Sequence, residues 1–375
     1  MPKINLLYVI TKLELGGAQK QLLSLIKGLD KSRYNIFLFT AADGLLIDAA
    51  SSLKYITLIK SRFLERPINP IKDLFCVFEI YVCIKKNKIQ VIHTHSSKAG
   101  ILGRISAALA GVDRIIHTVH GWSFNDYQPV LIRRLYTLIE RRCALFTDKL
   151  VVVSYYDKEK GLNNYIGEET KYCLIRYAID RAEFNIKDAS IRRKLGIGDE
   201  DLTVGMVACF KPQKCPQDFI KLAYLIIRQM PEVKFILVGD GILRRKIERL
   251  ILKYNLKENI VLTGWRTDLA NVLSVFDVFV LTSLWEGLPV SVLEAIAAFK
   301  PVAATDTGGV AEVIIEGDTG FLASPRDMET LSRKLAGLLK NRELRNSIAG
   351  KAFSALNSDF NQEIVVEKTE ELYYN

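Results

Sequence analysis

At 375 residues the chain is too long for one ordinary hydrophobic core, and two domains of roughly 180 residues each are the expectation. Its composition, 49% hydrophobic and 25% charged, is that of a globular protein, and no apolar run approaches the roughly 20 residues needed to cross a bilayer. The six cysteines are scattered without a Cys-x-x-Cys pair and there are four histidines, which argues against a zinc site or a disulfide framework. The net charge of +10 sits entirely in residues 1–180, which hold 26 basic and 16 acidic residues against 26 of each in the remainder. Such a first half attracts anions: a membrane surface, a pyrophosphate-bearing acceptor or nucleic acid.

Ile4 to Ile10 is an apolar run suited to a parallel strand buried on both faces. The segment is too short, and lacks the cleavage site, for a signal peptide, so the chain is expected in the cytoplasm. Gly16 and Gly17 follow, then apolar residues at helical spacing through Leu29. A strand, a glycine turn and a helix start form a geometry that approaches a phosphate or sugar closely. Tyr34 to Thr40 reads as a second strand. Ile71 to Lys86 reads as a helix with Lys85 and Lys86 at its carboxyl end; its apolar face (Leu74, Phe75, Phe78, Tyr81, Val82) is expected to turn into the core, the alternative being a membrane-seeking face. Val91 to His95 is a strand before a small-residue helix, Ile101 to Leu109. A further strand runs from Ile115 toward His120 and Gly121, and another from Lys149 to Ser154. His95 and His120 fall at strand ends, where open α/β sheets bind ligands, and His93 and His117 fall inside strands. His93, His95 and His117 read as hydrogen-bonded structural residues, and His120 as a ligand-site candidate because Gly121 after it lets the backbone approach a ligand.

The pattern changes around Arg176 to Asp180, and the polar stretch Lys187 to Asp201 reads as the linker between domains. Strands then recur at Leu202 to Ala208, Val233 to Val238, Asn259 to Thr263 and Pro301 to Ala304. Between the last two lies Leu281-Thr282-Ser283-Leu284-Trp285-Glu286-Gly287-Leu288-Pro289-Val290-Ser291-Val292-Leu293-Glu294-Ala295. It reads as the end of a buried strand (Val278 to Leu281), a short loop, and a helix opening near Pro289. A helix start of that kind presents unpaired amides and a positive dipole end to a phosphate. Glu286 on the loop and Glu294 about one turn into the helix are suited to a sugar hydroxyl and a ribose hydroxyl. Strands alternating with helices throughout predict an α/β fold of two doubly wound parallel-sheet domains facing across a cleft. The expected division is 1–180, 181–355 and a C-terminal helix, 356–375, that crosses back to the first domain.

With these residues in view the chain resembles the retaining glycosyltransferases of family 4, which have the GT-B architecture. The carriers are Glu286-Gly287-Leu288-Pro289 through Glu294, the family's Glu-x7-Glu signature, supported by Gly16-Gly17, Thr118-Val119-His120-Gly121, Lys214, Gly239-Asp240-Gly241 and Thr307-Gly308-Gly309. His93 to Gly103 with His117 to Trp122 looks most like the branch that builds capsular and other surface polysaccharides on a lipid-pyrophosphate carrier. The resemblance implies that Glu294 holds the ribose, Glu286 the donor sugar, and amides near Gly287, Leu288, Pro289 and Val290 the sugar and phosphate. It implies that Lys214 neutralises the departing diphosphate, that His120 lies beside the donor sugar, and that Gly16, Gly17, Gly239 and Gly264 shape the donor site. The family arginine is missing, since Ala208-Cys209-Phe210 stands where Gly-Arg-Leu is usual, and Lys211 is the candidate substitute. Arg176-Tyr177-Ala178 likewise replaces a frequent Pro-Asn-Gly.

The function that this resemblance implies is transfer of a sugar, an N-acetylhexosamine from a UDP-sugar, to a lipid-pyrophosphate-linked glycan with retained anomeric configuration. No cofactor and no metal are expected. The only Asp-x-Asp, Asp199-Glu200-Asp201, falls in the linker. Arg133, Arg134, Arg141 and Arg142 are expected to dock the enzyme peripherally on the inner face of the cell membrane. Two other readings are a sugar-nucleotide epimerase or hydrolase on the same fold, which would need an additional acid/base set, and a non-enzymatic nucleic-acid binder. The latter lacks an aromatic-studded sheet and leaves Glu286 and Glu294 without a purpose.

Overall fold

The computed structural model describes residues 2–374 apart from 187 and 189. It falls into two compact units. One runs to Ala178 and resumes at Asp359; the other is Ile179–Ser358. The first unit follows β1 (Ile4–Ile10), α1 (Gly17–Gly28), β2 (Tyr34–Ala41), α2 (Ile47–Ser51), β3 (Ile56–Ser61), α3 (Pro70–Lys86), β4 (Val91–His95), α4 (Ser97–Ala110), β5 (Arg114–Val119), α5 (Val130–Leu145), β6 (Lys149–Val152), α6 (Tyr155–Asn163) and β7 (Tyr172–Leu174). Its seven-stranded sheet has the order β3-β2-β1-β4-β5-β6-β7, with every pairing parallel.

The second unit follows α7 (Ser190–Lys194), β8 (Thr203–Val207), α8 (Pro216–Ile227), β9 (Lys234–Val238), α9 (Arg244–Lys253), β10 (Ile260–Gly264), α10 (Leu269–Ser274), β11 (Val278–Leu281), α11 (Val290–Ala297), β12 (Val302–Thr305), β13 (Phe321–Ala323), α12 (Met328–Lys340) and α13 (Arg342–Ala355). Its six strands, all parallel, run β10-β9-β8-β11-β12-β13. Strand order reverses between β1 and β4 in the first sheet and between β8 and β11 in the second, so each unit has a switch point where the flanking loops diverge.

The central strands are apolar on both faces because helices cover both faces. Leu7 and Val9 of β1 pack under α3 and α4, whereas Leu6, Tyr8 and Ile10 pack under α1. The last helix, α14 (Gln362–Tyr374), joins that second layer: Gln362 Nε2 donates to the Ser24 carbonyl at 3.1 Å, and Val365, Val366 and Tyr373 enter the core beside Leu22 and Ile26.

Several expectations shift. The small-residue helix opens at Ser97, four residues before the anticipated start at Ile101, because its first turn is tied to the loop after β1: Ala99 N donates to Thr11 Oγ1 at 3.2 Å. Pro289 is the cap of α11 and not its first helical residue. The stretch anticipated as linker contains α7 and belongs to the second unit, residues 187 and 189 lying outside the described residues. Asp199-Glu200-Asp201 closes a turn there, with Gly198 N donating to Asp201 Oδ2 at 2.8 Å. The clearest reversal concerns α3. Its buried residues are Cys76, Ile80, Cys83 and Ile84, while Leu74, Phe75, Phe78 and Val82, assigned to the core from their spacing, are exposed and Tyr81 is half-buried.

Candidate active site

The second sheet brings four loops to the carboxyl ends of adjacent strands β9, β8, β11 and β12. Lys214 closes the short 3-10 turn Pro212–Lys214 after β8, and Glu286 lies on the loop after β11, across the switch point. They meet as an ion pair, Lys214 Nζ to Glu286 Oε1, at 2.5 Å. Ser283 Oγ donates to the same oxygen at 2.6 Å, and Gln213 Nε2 approaches Glu286 Oε2 at 3.4 Å. With the Glu286 side chain 5% and that of Lys214 17% exposed, the carboxylate is held in one orientation. Its Oε2, met among the described residues only by that long contact, keeps the greater acceptor capacity.

The two loops are pinned by backbone as well. Leu284 N donates to the Gln213 carbonyl at 2.7 Å, Gln213 Nε2 to the Trp285 carbonyl at 2.9 Å, and Thr282 Oγ1 to the Cys215 carbonyl at 3.1 Å. From β12, Thr305 Oγ1 donates to the Ser283 carbonyl at 2.6 Å, and Gly309 N to the Gly287 carbonyl at 2.6 Å. Gly308 makes this approach possible. Its φ is +60°, and a Cβ there would lie 2.0 Å from the Glu286 carbonyl oxygen. Gly287, Leu288, Pro289 and Val290 are all buried between Glu286 and the opening turn of α11. Glu294, five residues into α11, is also buried.

Gly239, at the end of β9, has φ +121°, and a Cβ would fall 2.0 Å from the Ala208 carbonyl oxygen. Its N–H donates to the Gly264 carbonyl at 2.9 Å, so these two glycines close the ends of β9 and β10 together. The loop after β8 lies against the loop after β9 through Phe210 N to the Asp240 carbonyl, 2.8 Å, and Leu243 N to the Phe210 carbonyl, 3.0 Å. Phe210 is fully buried, and Cys209 and Lys211 beside it are half-buried.

The remaining sequence candidates belong to the first unit. Gly16 caps α1 with extended backbone, φ −128°, and a Cβ there would meet only the Gln19 side chain; its backbone makes no demand for glycine. Thr11 after β1 and Ser96 after β4 join across the switch point, their hydroxyls 2.8 Å apart. His120 Nδ1 meets the Tyr177 hydroxyl at 2.7 Å, and its Nε2 meets His95 Nδ1 at 2.9 Å. Burial pushes His120 down to about 4 and His95 well below the ordinary histidine range, so both are neutral near pH 7. His95 Nε2 is buried without a hydrogen-bond partner among the described residues. A proton there would be an orphan donor, so the tautomer that fits carries its proton on Nδ1 and donates to His120 Nε2. His120 then carries its own proton on Nδ1, toward Tyr177. His93 and His117 are structural, as anticipated: His93 bridges Tyr373 and Thr118, each at 2.7 Å, and His117 meets Thr94. Sequence reasoning missed Ser283, Gln213 and Tyr177; the only local signal was a serine three residues before Glu286.

Two parallel-sheet units of this kind, each with a switch point in its strand order, have the GT-B architecture. The comparisons agree on the family. Residues 187–354 match the family described as Glycosyl transferases group 1, and residues 15–183 match Glycosyltransferase Family 4. An Escherichia coli protein, UDP-Gal:alpha-D-GlcNAc-diphosphoundecaprenol alpha-1,3-galactosyltransferase, is 31% identical over 99% of this chain and 97% of its own. The O-antigen biosynthesis glycosyltransferase WbnH of E. coli is 28% identical over 86% of this chain and 87% of its own. Among solved structures, Anabaena HepE in complex with UDP and glucose shares the fold with a TM-score of 0.85 at 19% identity, covering 98% of both chains. The chain belongs to the family 4 glycosyltransferases.

Proposed function

We propose that this glycosyltransferase moves a hexosyl group from a UDP-sugar to a sugar carried on a lipid diphosphate, with retention of configuration, in the assembly of a surface polysaccharide. The observation that carries the reading is the buried Lys214–Glu286 pair at the switch point between β8 and β11. Breaking the glycosyl–phosphate bond leaves negative charge on the diphosphate and positive charge on the sugar ring. Lys214, aided by Lys211 and the amides opening α11, is placed to stabilise the first by fixed charge. Glu286 offers Oε2 to a hydroxyl of the donor sugar, and Glu294 takes the ribose. His120, with both ring nitrogens engaged, acts through its fixed position and not as a proton acceptor. On this reading the positive groups are the protein's own, no divalent cation takes part, and the leaving phosphate receives the acceptor proton.

The acceptor is inferred from the E. coli galactosyltransferase, whose name specifies a GlcNAc-diphosphoundecaprenol acceptor and an α-1,3 product. That name moves galactose level with the N-acetylhexosamine anticipated from sequence. The test is transfer from UDP-galactose, UDP-GlcNAc and UDP-GalNAc to a synthetic lipid diphosphate sugar, with product anomer read by NMR. A product of inverted configuration would overturn the mechanism. Release of free sugar or an epimerised nucleotide sugar without acceptor would favour the epimerase or hydrolase reading.

A further inference from the structure

The first unit carries an apolar surface that its own fold leaves uncovered. On α3, Ile71, Leu74, Phe75, Phe78 and Val82 recur at helical spacing and are all exposed, Leu74 by 71% and Phe78 by 64%. The opposite side of α3 is buried, so this helix has two apolar faces, with Lys72, Glu79 and Lys86 on a flank between them, and one-sided packing requires only one of the two. On α5, Leu131, Leu135, Leu138 and Leu145 form a second exposed stripe, Leu131 by 79%. α3 packs on α4 and α4 on α5, so the stripes lie on one face of the first sheet. Exposed Leu109 belongs to the intervening helix.

Charge says what covers this face. Exposed Lys86 continues the edge of the stripe of α3 at its carboxyl end, while its neighbour Lys85 is tied to the Ala110 carbonyl at 2.7 Å. On α5, Arg142 stands among the leucines at the same helical phase, and Arg134 and Arg141 follow one border. A second copy docked two-fold on this face would set these cations against themselves. An anionic bilayer accepts both features, with leucine and phenylalanine entering the acyl boundary while lysine and arginine reach up to phosphates. Of the four arginines anticipated as docking groups, Arg133 is tied to Asp126 at 2.9 Å and Arg141 to the Asn164 carbonyl at 2.6 Å. Arg134 and Arg142 are therefore the principal phosphate contacts.

We propose that the outward stripes of α3 and α5 insert side by side into the headgroup–acyl boundary of an anionic membrane, holding the first unit on it by hydrophobic as well as ionic contact. This extends the proposed use of a lipid-linked acceptor, but its test needs no substrate. The full-length protein is sedimented with vesicles of phosphatidylcholine containing 30% phosphatidylglycerol, at about 0.1 M and about 0.5 M salt, where ionic attraction is largely screened. The unsubstituted chain should retain measurable binding at the higher salt. F75S/F78S and L131S/L135S, all at exposed positions, should each lower the partition constant at least about tenfold there. R134E/R142E should act mainly at the lower salt. Unchanged binding by the apolar variants overturns the proposal, as does binding abolished by salt alone. Sedimentation equilibrium adds another refuting outcome: a dimer lost in F75S/F78S while vesicle binding persists would make the face a protein interface. Transfer to a short-chain, detergent-soluble acceptor should be unchanged in these variants, so its absence in the unsubstituted chain would count against the proposed function and not against insertion.

Discussion

Gly308→Ala tests how closely the donor site depends on one backbone approach. Alanine at φ +60° costs about 1–2 kcal/mol in left-handed strain. Its Cβ would sit 2.0 Å from the Glu286 carbonyl oxygen, where an ordinary contact needs well over 3 Å. One segment must therefore move by more than an ångström, against Gly309 N–Gly287 O and Thr305 Oγ1–Ser283 O, both 2.6 Å. Overpacking of that sort adds about 1–3 kcal/mol. A total of about 2–5 kcal/mol corresponds to a fall in Tm of roughly 5–15 °C for a unit of this size. Displacing Glu286 by that distance should also lower kcat/KM about 100-fold. The assay is thermal unfolding with and without UDP, alongside initial-rate transfer. If Gly308→Ala melts within about 1 °C of the unsubstituted protein and keeps its activity, the pinned geometry around Glu286 is wrong.

Lys214→Ala should lower turnover about 100-fold with the fold intact, from the loss of one preorganised charge contact; an undiminished kcat removes the lysine from bond cleavage. Transfer should continue in excess EDTA, and its abolition with recovery on adding Mg2+ or Mn2+ would refute the metal-free reading. His95→Phe should reduce kcat more than the KM for donor, by freeing His120 Nε2, and His95→Asn, whose amide can stand in for Nδ1, should recover part of the loss; an equal effect of the two would make His95 mere packing. Acid should destabilise the first unit early. His93 and His120 are held down to about 3 and about 4 by burial, so below the unfolded value near 6.5 the unfolded chain binds protons that the folded chain refuses. Stability is then full at pH 7 and falls by about 1.4 kcal/mol per such histidine per pH unit as pH drops from 6.5 toward 4. Urea midpoints at pH 7, 6 and 5 check the slope, and a flat profile contradicts the buried neutral network.

Strands were legible wherever burial on both faces left one kind of side chain. Ile4–Ile10 and Val278–Leu281 are bounded as their apolar runs suggest. β3 was not seen: Ile56–Ser61 mixes exposed threonine and lysine with apolar residues, as an edge strand does. On α3 the spacing found a stripe but could not say which solvent the stripe meets, because Cys76, Ile80, Cys83 and Ile84 formed a second apolar face that covers the sheet. Within the site, the charged motif residues could be read from chain order. Ser283, Gln213 and Tyr177 could not, since a hydroxyl or amide carries no signal until the topology sets it against a partner.

Tyr373 has a consequence for how the molecule is made. Its hydroxyl lies 2.7 Å from that of Tyr8 and 2.7 Å from His93 Nδ1, so the innermost strand of the first unit waits for a partner some 365 positions downstream. During synthesis the intervening unit, Ile179–Ser358, emerges whole before that partner does. The part translated first is thus the part completed last, and a nascent chain arrested with α14 still inside the ribosome would hold its first unit open along α1.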